Sequence, residues 1–88
     1  MRRPRPSITG RPVMITGAAS GIGRSLARLL AGLGSPVAIA DVDEAGLDKT
    51  APSLPGPVLS RVLDVRYAAG QLRFAAEVRE WPPVRPRG

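Results

Sequence analysis

Between Thr16 and Gly23 the chain reads Thr-Gly-Ala-Ala-Ser-Gly-Ile-Gly. Residues this small do chemistry through their backbone, because amides without bulky neighbours can close on an anion. Each glycine has a definable task. Gly17 permits a tight turn out of a preceding strand. Gly21 has no Cβ, so a diphosphate can approach the backbone. Gly23 lets a following helix pack close to the sheet. The competing reading is a plain flexible connection, and a glycine cluster alone does not separate the two. An ATP-type phosphate loop requires Gly, four residues, then Gly-Lys-Ser/Thr. The matching register here runs from Ala18 to Gly23-Arg24-Ser25, so the first glycine and the lysine are both missing.

Asp41 is the second candidate, 24 residues after Gly17 at the end of an apolar run. A carboxylate there can accept hydrogen bonds from the hydroxyls of an adenosine ribose. It would repel a 2′-phosphate, which favours NAD over NADP. The alternative is that Asp41 helps to cap the next helix, a task for which Asp43 is better placed.

Composition excludes much else. The 88 residues contain no histidine and no cysteine. Ser-His-Asp and Cys-His nucleophiles, thiolate metal sites and disulfides are therefore absent. Aromatic residues make up 3% of the chain, too few for a platform that stacks nucleobases. The net charge of +6 is confined to the ends, since residues 12–78 carry as many acids as bases. Arg2, Arg3, Arg5 and Arg11 crowd the start, and Arg79, Arg85 and Arg87 the finish. Basic arms can touch phosphates without sequence preference, but solvated ends explain them equally well. No specific nucleic-acid partner is expected. No apolar stretch approaches the roughly 20 residues of a membrane span, and no signal-peptide core follows the basic start. A soluble cytoplasmic protein is expected, with no membrane partner.

The elements that must position these residues alternate. Val13-Met14-Ile15 reads as a buried strand ending in Thr16-Gly17. From Ile22 the apolar residues Ile22, Leu26, Leu29, Leu30 and Leu33 recur on one helical face, and Gly34 stops the helix. Val37 to Ala40 is a second strand closed by Asp41. Asp43 caps a short helix over 44–50, weakened by Gly46. A third strand is expected over 58–65, and a last helix over 68–81 with Phe74, Val78 and Trp81 on one face. This order implies an α/β fold, a Rossmann-type βαβαβα half-domain with three parallel strands in the order 3-2-1. Residues 1–11 read as a disordered basic lead-in, 12–81 as the partial dinucleotide-binding domain, and 82–88 as a disordered Pro/Arg tail.

The run VMI followed by Thr16-Gly-x-x-x-Gly-Ile-Gly23, then AIAD ending at Asp41 and LDV ending at Val65, resembles the opening of a short-chain dehydrogenase/reductase. The resemblance covers the chain from Arg11 onward. It implies that Thr16, Gly17, Ser20, Gly21, Ile22 and Gly23 contact an NAD cofactor together with Asp41, with Asp64 near the adenine and Val65 packed beside it. Without the resemblance, Asp64 reads as a turn residue at a strand end. It further implies hydride transfer between NAD(P) and an alcohol or carbonyl substrate. The family's catalytic Tyr-x-x-x-Lys is not in this sequence: Gln71 follows Tyr67 at that spacing, and Ala45 precedes Lys49. The Asn-Asn-Ala-Gly segment is also missing, and WPPV ending at Val84 resembles only the approach to a fourth strand. The chain is therefore expected to be truncated before that strand and to lack catalysis by itself. Strand 13–16 then becomes a bare edge open to self-association. A small stand-alone nucleotide-binding or protein-interaction module is the alternative, and a basic-tailed nucleic-acid binder a further one.

Overall fold

The computed structural model describes residues 11–81. Apart from Arg11, the expected lead-in and tail lie outside the described residues. In chain order come β1 (Val13–Thr16), α1 (Gly21–Gly32), β2 (Val37–Asp41), α2 (Glu44–Thr50), a 3-10 turn (Ala51–Ser53), β3 (Val58–Val62) and α3 (Ala68–Glu80). The strands form one parallel sheet in the order β1-β2-β3, which is the expected 3-2-1 arrangement. Val13 pairs with Val37 and Thr16 with Ala40, while Val37 pairs with Val58 and Asp41 with Val62.

β2 is the centre of the molecule. Val37, Ala38, Ile39 and Ala40 are fully buried, as a continuous apolar run covered on both faces requires. On one face Ile15, Val37 and Ile39 meet Ala27 and Ala31 of α1, Leu47 of α2 and Leu54. On the other, Ala38 and Ala40 leave room for the ring of Phe74, with Leu59, Leu63, Val78 and Trp81 around it. Burying a phenylalanine side chain contributes about 1.5–3 kcal/mol, so Phe74 is the main anchor of α3. The helical face read from Phe74, Val78 and Trp81 is thus the one that packs.

The face of α1 differs from expectation. Ile22, Leu26, Leu29 and Leu33 are exposed, and Leu30 is only partly covered. The helix instead turns Gly23, Ala27 and Ala31 towards the sheet. The reason is separation: the first turn of α1 lies against the chain leaving β1, and only small side chains fit beneath it. Gly34 ends the helix as expected, with its amide on Ala31 O at 3.0 Å and that of Ser35 on Leu30 O at 3.2 Å.

β3 is shorter than the expected 58–65. The Leu63 amide still donates to Asp41 O at 2.9 Å, but the chain then turns. The Asp64 carboxylate accepts the Arg66 amide at 3.0 Å, and the Tyr67 amide closes on Asp64 O at 3.1 Å. Such side-chain-to-backbone bonds compete with the strand ladder. β1 pairs with β2 alone among the described residues and so forms one edge of the sheet. Met14, on the α3 face of β1, is exposed because Phe74 covers Ala38 and Ala40 instead. No described helix is long and apolar enough to cross a membrane.

Candidate functional site

In an open parallel sheet, ligands bind outside the carboxyl ends of the strands. Three connections lie at that end here. The first leaves β1. The ladder runs past Thr16, with the Gly17 amide on Ala40 O at 2.8 Å and the Ala18 amide on the same oxygen at 3.3 Å. Gly17 and Gly21 then adopt φ values of +72° and +58°, which residues bearing a Cβ rarely adopt. A Cβ on Gly21 would meet nothing within 4 Å, so this stretch of backbone is open to approach. A Cβ on Gly23 would lie 2.0 Å from the Gly17 carbonyl oxygen. Gly23 thereby seats the helix on the turn that leaves β1. Ser20 is the N-cap of α1, but its side chain makes no capping bond, and the first turn holds no acid. The positive end of this helix has no anionic side chain of its own. By contrast, α2 starts with Asp43, whose carboxylate accepts the Gly46 amide at 3.0 Å, followed by Glu44.

The second connection starts at Asp41. Its carboxylate accepts the Ala19 amide at 3.0 Å and the Asp43 amide at 3.1 Å. Asp41 thereby fastens the glycine-rich loop to the end of β2, while Asp43 caps α2. A carboxylate has about four lone-pair sites, so two bonds leave capacity for ribose hydroxyls.

The third connection follows β3. Arg66 donates to both carboxylate oxygens of Asp64, at distances down to 2.6 Å. These side-chain bonds, aided by the Arg66 amide, hold the Asp64 carboxyl below the usual carboxylate range. Val65 is partly exposed beside it, and its carbonyl accepts from the Gln71 side chain. Thr16, Gly17, Ser20, Gly21, Ile22 and Gly23 are thus gathered on the first connection, Asp41 on the second, and Asp64 and Val65 on the third. Ile22 extends into solvent, 87% exposed.

Three residues behind the first connection were not anticipated. Arg24 donates through Nε to Thr50 Oγ1 at 2.8 Å, and through Nη2 to Ala19 O and, at 3.4 Å, to Gly46 O. The buried Thr50 hydroxyl donates to Ala18 O at 2.8 Å. Gly46, expected only to weaken α2, is buried against Ala19, where a Cβ would lie 2.6 Å from that residue's own Cβ. The available signal was the position of Arg24 directly after Gly23. Thr50 gave no sequence signal, because its partners are distant in the chain.

The family model for short chain dehydrogenases matches residues 11–83. The chain belongs to that family. It is 35% identical over 78 residues to galactitol 2-dehydrogenase (L-tagatose-forming) of Cereibacter sphaeroides, a match covering 88% of this chain and 31% of that protein. A short chain dehydrogenase/reductase from Burkholderia phymatum, crystallised with NAD, superposes with a TM-score of 0.79 at 36% identity, over 83% of this chain and 27% of that one. A 3-ketoacyl-(acyl-carrier-protein) reductase from Brucella melitensis, crystallised with NADH, gives a TM-score of 0.74 at 30% identity, over 82% of this chain and 30% of that one. The chain spans between 13% and 31% of the length of the curated relatives it matches.

For a short chain dehydrogenase, Tyr67 is the only tyrosine present. It caps α3 without a capping side-chain bond, and its ring lies beneath the Arg66 guanidinium at 5.9 Å. Gln71, not a lysine, follows it one turn later.

Proposed function

We propose that residues 12–81 form the adenosine-diphosphate half of an NAD site within a short chain dehydrogenase. One observation carries this reading: α1 begins with no acid and no side-chain cap, beside an open Gly21, while the Asp41 carboxylate is bonded to the same loop. A diphosphate would complete the helix terminus. The ribose hydroxyls would donate to Asp41, and Asp64 with Val65 would border the adenine. Thr16, Gly17, Ser20, Ile22 and Gly23 would contribute backbone contacts. The residues present fit the group. When bound, the cofactor supplies the hydride that the family exchanges with alcohol or carbonyl substrates; this chain's residues hold and orient its adenosine end. Asp41 selects NAD over NADP by opposing a 2′-phosphate. The chain alone is expected to turn over no substrate.

Titration calorimetry with NAD, NADP and inorganic diphosphate tests the reading. Saturable binding of NAD, weaker binding of NADP and no binding to generic DNA are expected. Equal binding of every polyanion, abolished by salt, would place the contacts on the basic ends instead.

A second association is supported by the edge of β1, which among the described residues pairs with β2 alone, and by exposed Met14 on that strand. We propose self-association through this edge, since unpaired strand edges recruit further strands. Light scattering should show a mass that rises with concentration and falls when Met14 is replaced by Lys.

A further inference from the structure

We propose that Arg24, acting with Thr50, is a positioning residue that fixes the Ala18–Ser20 segment so that the Ser20 amide faces outward to receive a diphosphate. The inference rests on the cofactor reading above. It starts from the planarity of the peptide bond. No cis peptide is present among the described residues, and in a trans peptide the N–H points opposite to the preceding C=O. The Ala18 carbonyl is drawn inward by the buried Thr50 hydroxyl at 2.8 Å. The next amide, Ala19 N–H, must then point away from Thr50, and it meets the Asp41 carboxylate at 3.0 Å. The same rule applies one residue later. The Ala19 carbonyl is drawn inward by Arg24 Nη2. The Ser20 N–H is therefore directed away from Arg24, to the outer side of the loop at the start of α1.

The guanidinium suits this task better than an ammonium would. Its planar fork presents donors in fixed directions. One fork reaches three acceptors, two on α2 and one in the loop: Thr50 Oγ1, Gly46 O at 3.4 Å, and Ala19 O. Thr50 is fully buried and passes the constraint on, accepting from Arg24 and donating to Ala18. The loop is thus held from behind by α2 and by its own helix, and from the side by β2. Pre-ordering of this kind lowers the entropy lost when a ligand docks. It also explains why α2, a helix of seven residues, is fastened so closely to the loop through Gly46 and Thr50.

The test uses the whole chain with Arg24→Gln, Thr50→Val and Thr50→Ser variants. Thr50→Val keeps the shape and removes the hydroxyl; Thr50→Ser keeps the hydroxyl. The first readout is amide hydrogen exchange, which needs no ligand. In Arg24→Gln and Thr50→Val, exchange at Ala19 should accelerate about tenfold or more, while Ile39 in the central strand stays within about twofold. Thr50→Ser should restore protection at Ala19. The second readout is binding of ADP against adenosine. Arg24→Gln should weaken ADP about tenfold and leave adenosine nearly unchanged. Unaltered Ala19 exchange in both variants overturns the proposal, as does a Thr50→Val protein indistinguishable from Thr50→Ser. An equal loss of ADP and adenosine also overturns it, since the role would then be general stability. If the unaltered chain binds no ADP while Ala19 responds as described, the cofactor reading fails and the clamp on the loop is upheld.

Discussion

The Asp41 carboxylate accepts the amide of Ala19 at 3.0 Å, joining the end of the second strand to the loop that leaves the first. Ala19 is buried, so its amide has no water to replace that acceptor. Removing the carboxylate therefore costs stability as well as ligand contacts. Asp41→Ala should destabilise the chain by about 1–3 kcal/mol in urea denaturation. Asp41→Asn retains an acceptor oxygen and should cost less. It removes the charge, so the ratio of NAD to NADP affinity should fall. A variant that keeps both the stability and the NAD preference would separate Asp41 from the site.

Gly21 and Gly23 should respond differently to alanine. At Gly21 the added methyl has space, and only the left-handed backbone opposes it, at about 1–2 kcal/mol. At Gly23 the methyl would lie 2.0 Å from the Gly17 carbonyl oxygen, a rigid backbone atom. Gly23→Ala should lift α1 off the turn and cost more than Gly21→Ala in thermal unfolding. Equal losses would contradict the seating of the helix on Gly17.

At an exposed helical position, Gly→Ala stabilises a protein by about 1 kcal/mol. At Gly46 the sign should reverse. A Cβ there would approach the Ala19 Cβ at 2.6 Å and the Ala19 oxygen at 2.7 Å. Gly46→Ala should lower the melting temperature and broaden the Ala18 and Ala19 amide signals. A rise in melting temperature would show that α2 can move away without cost.

These residues mark the limit of what the sequence discloses. The alternation of strands and helices, the Asp43 cap and the stop at Gly34 were legible because each rests on local patterns. The face of α1 was not. Periodicity selects the largest apolar residues, here Leu26, Leu29 and Leu33, but the close seating of Gly23 leaves room only for Ala27 and Ala31 beneath the helix. Gly46 read as a weak point in α2, since its neighbour Ala19 is far away in sequence. The Arg24–Thr50 bond was equally hidden, as it spans 26 residues and two elements. The end of β3 was misplaced because the apolar pattern continues through Leu63 and Val65 while the Asp64 side chain bends the backbone.

Arg66 sets the acid behaviour of Asp64. Its side-chain bonds hold the Asp64 carboxyl below the usual carboxylate range in the folded chain. A folded value below the unfolded one stabilises at neutral pH, and the contribution is lost as pH falls through the depressed folded value. Arg66 is largely exposed, so screening keeps the effect small. In a carbon-detected titration, Arg66→Ala should raise the Asp64 midpoint towards the ordinary aspartate range, with the bond from the residue-66 amide still holding it somewhat low. The variant should be slightly less stable than the parent at neutral pH and match it in strong acid. An unchanged midpoint would contradict the pairing.

The central claim is that the glycine-rich connection and Asp41 together hold the adenosine end of NAD. A two-dimensional amide spectrum of the labelled chain, recorded without and with NAD, tests it most directly. The account predicts dispersed signals, with saturable shifts at Gly17, Ser20 to Gly23 and Asp41, and smaller shifts with NADP. A dispersed spectrum in which these signals stay in place, or in which only Arg11 and its basic neighbours respond, would contradict it.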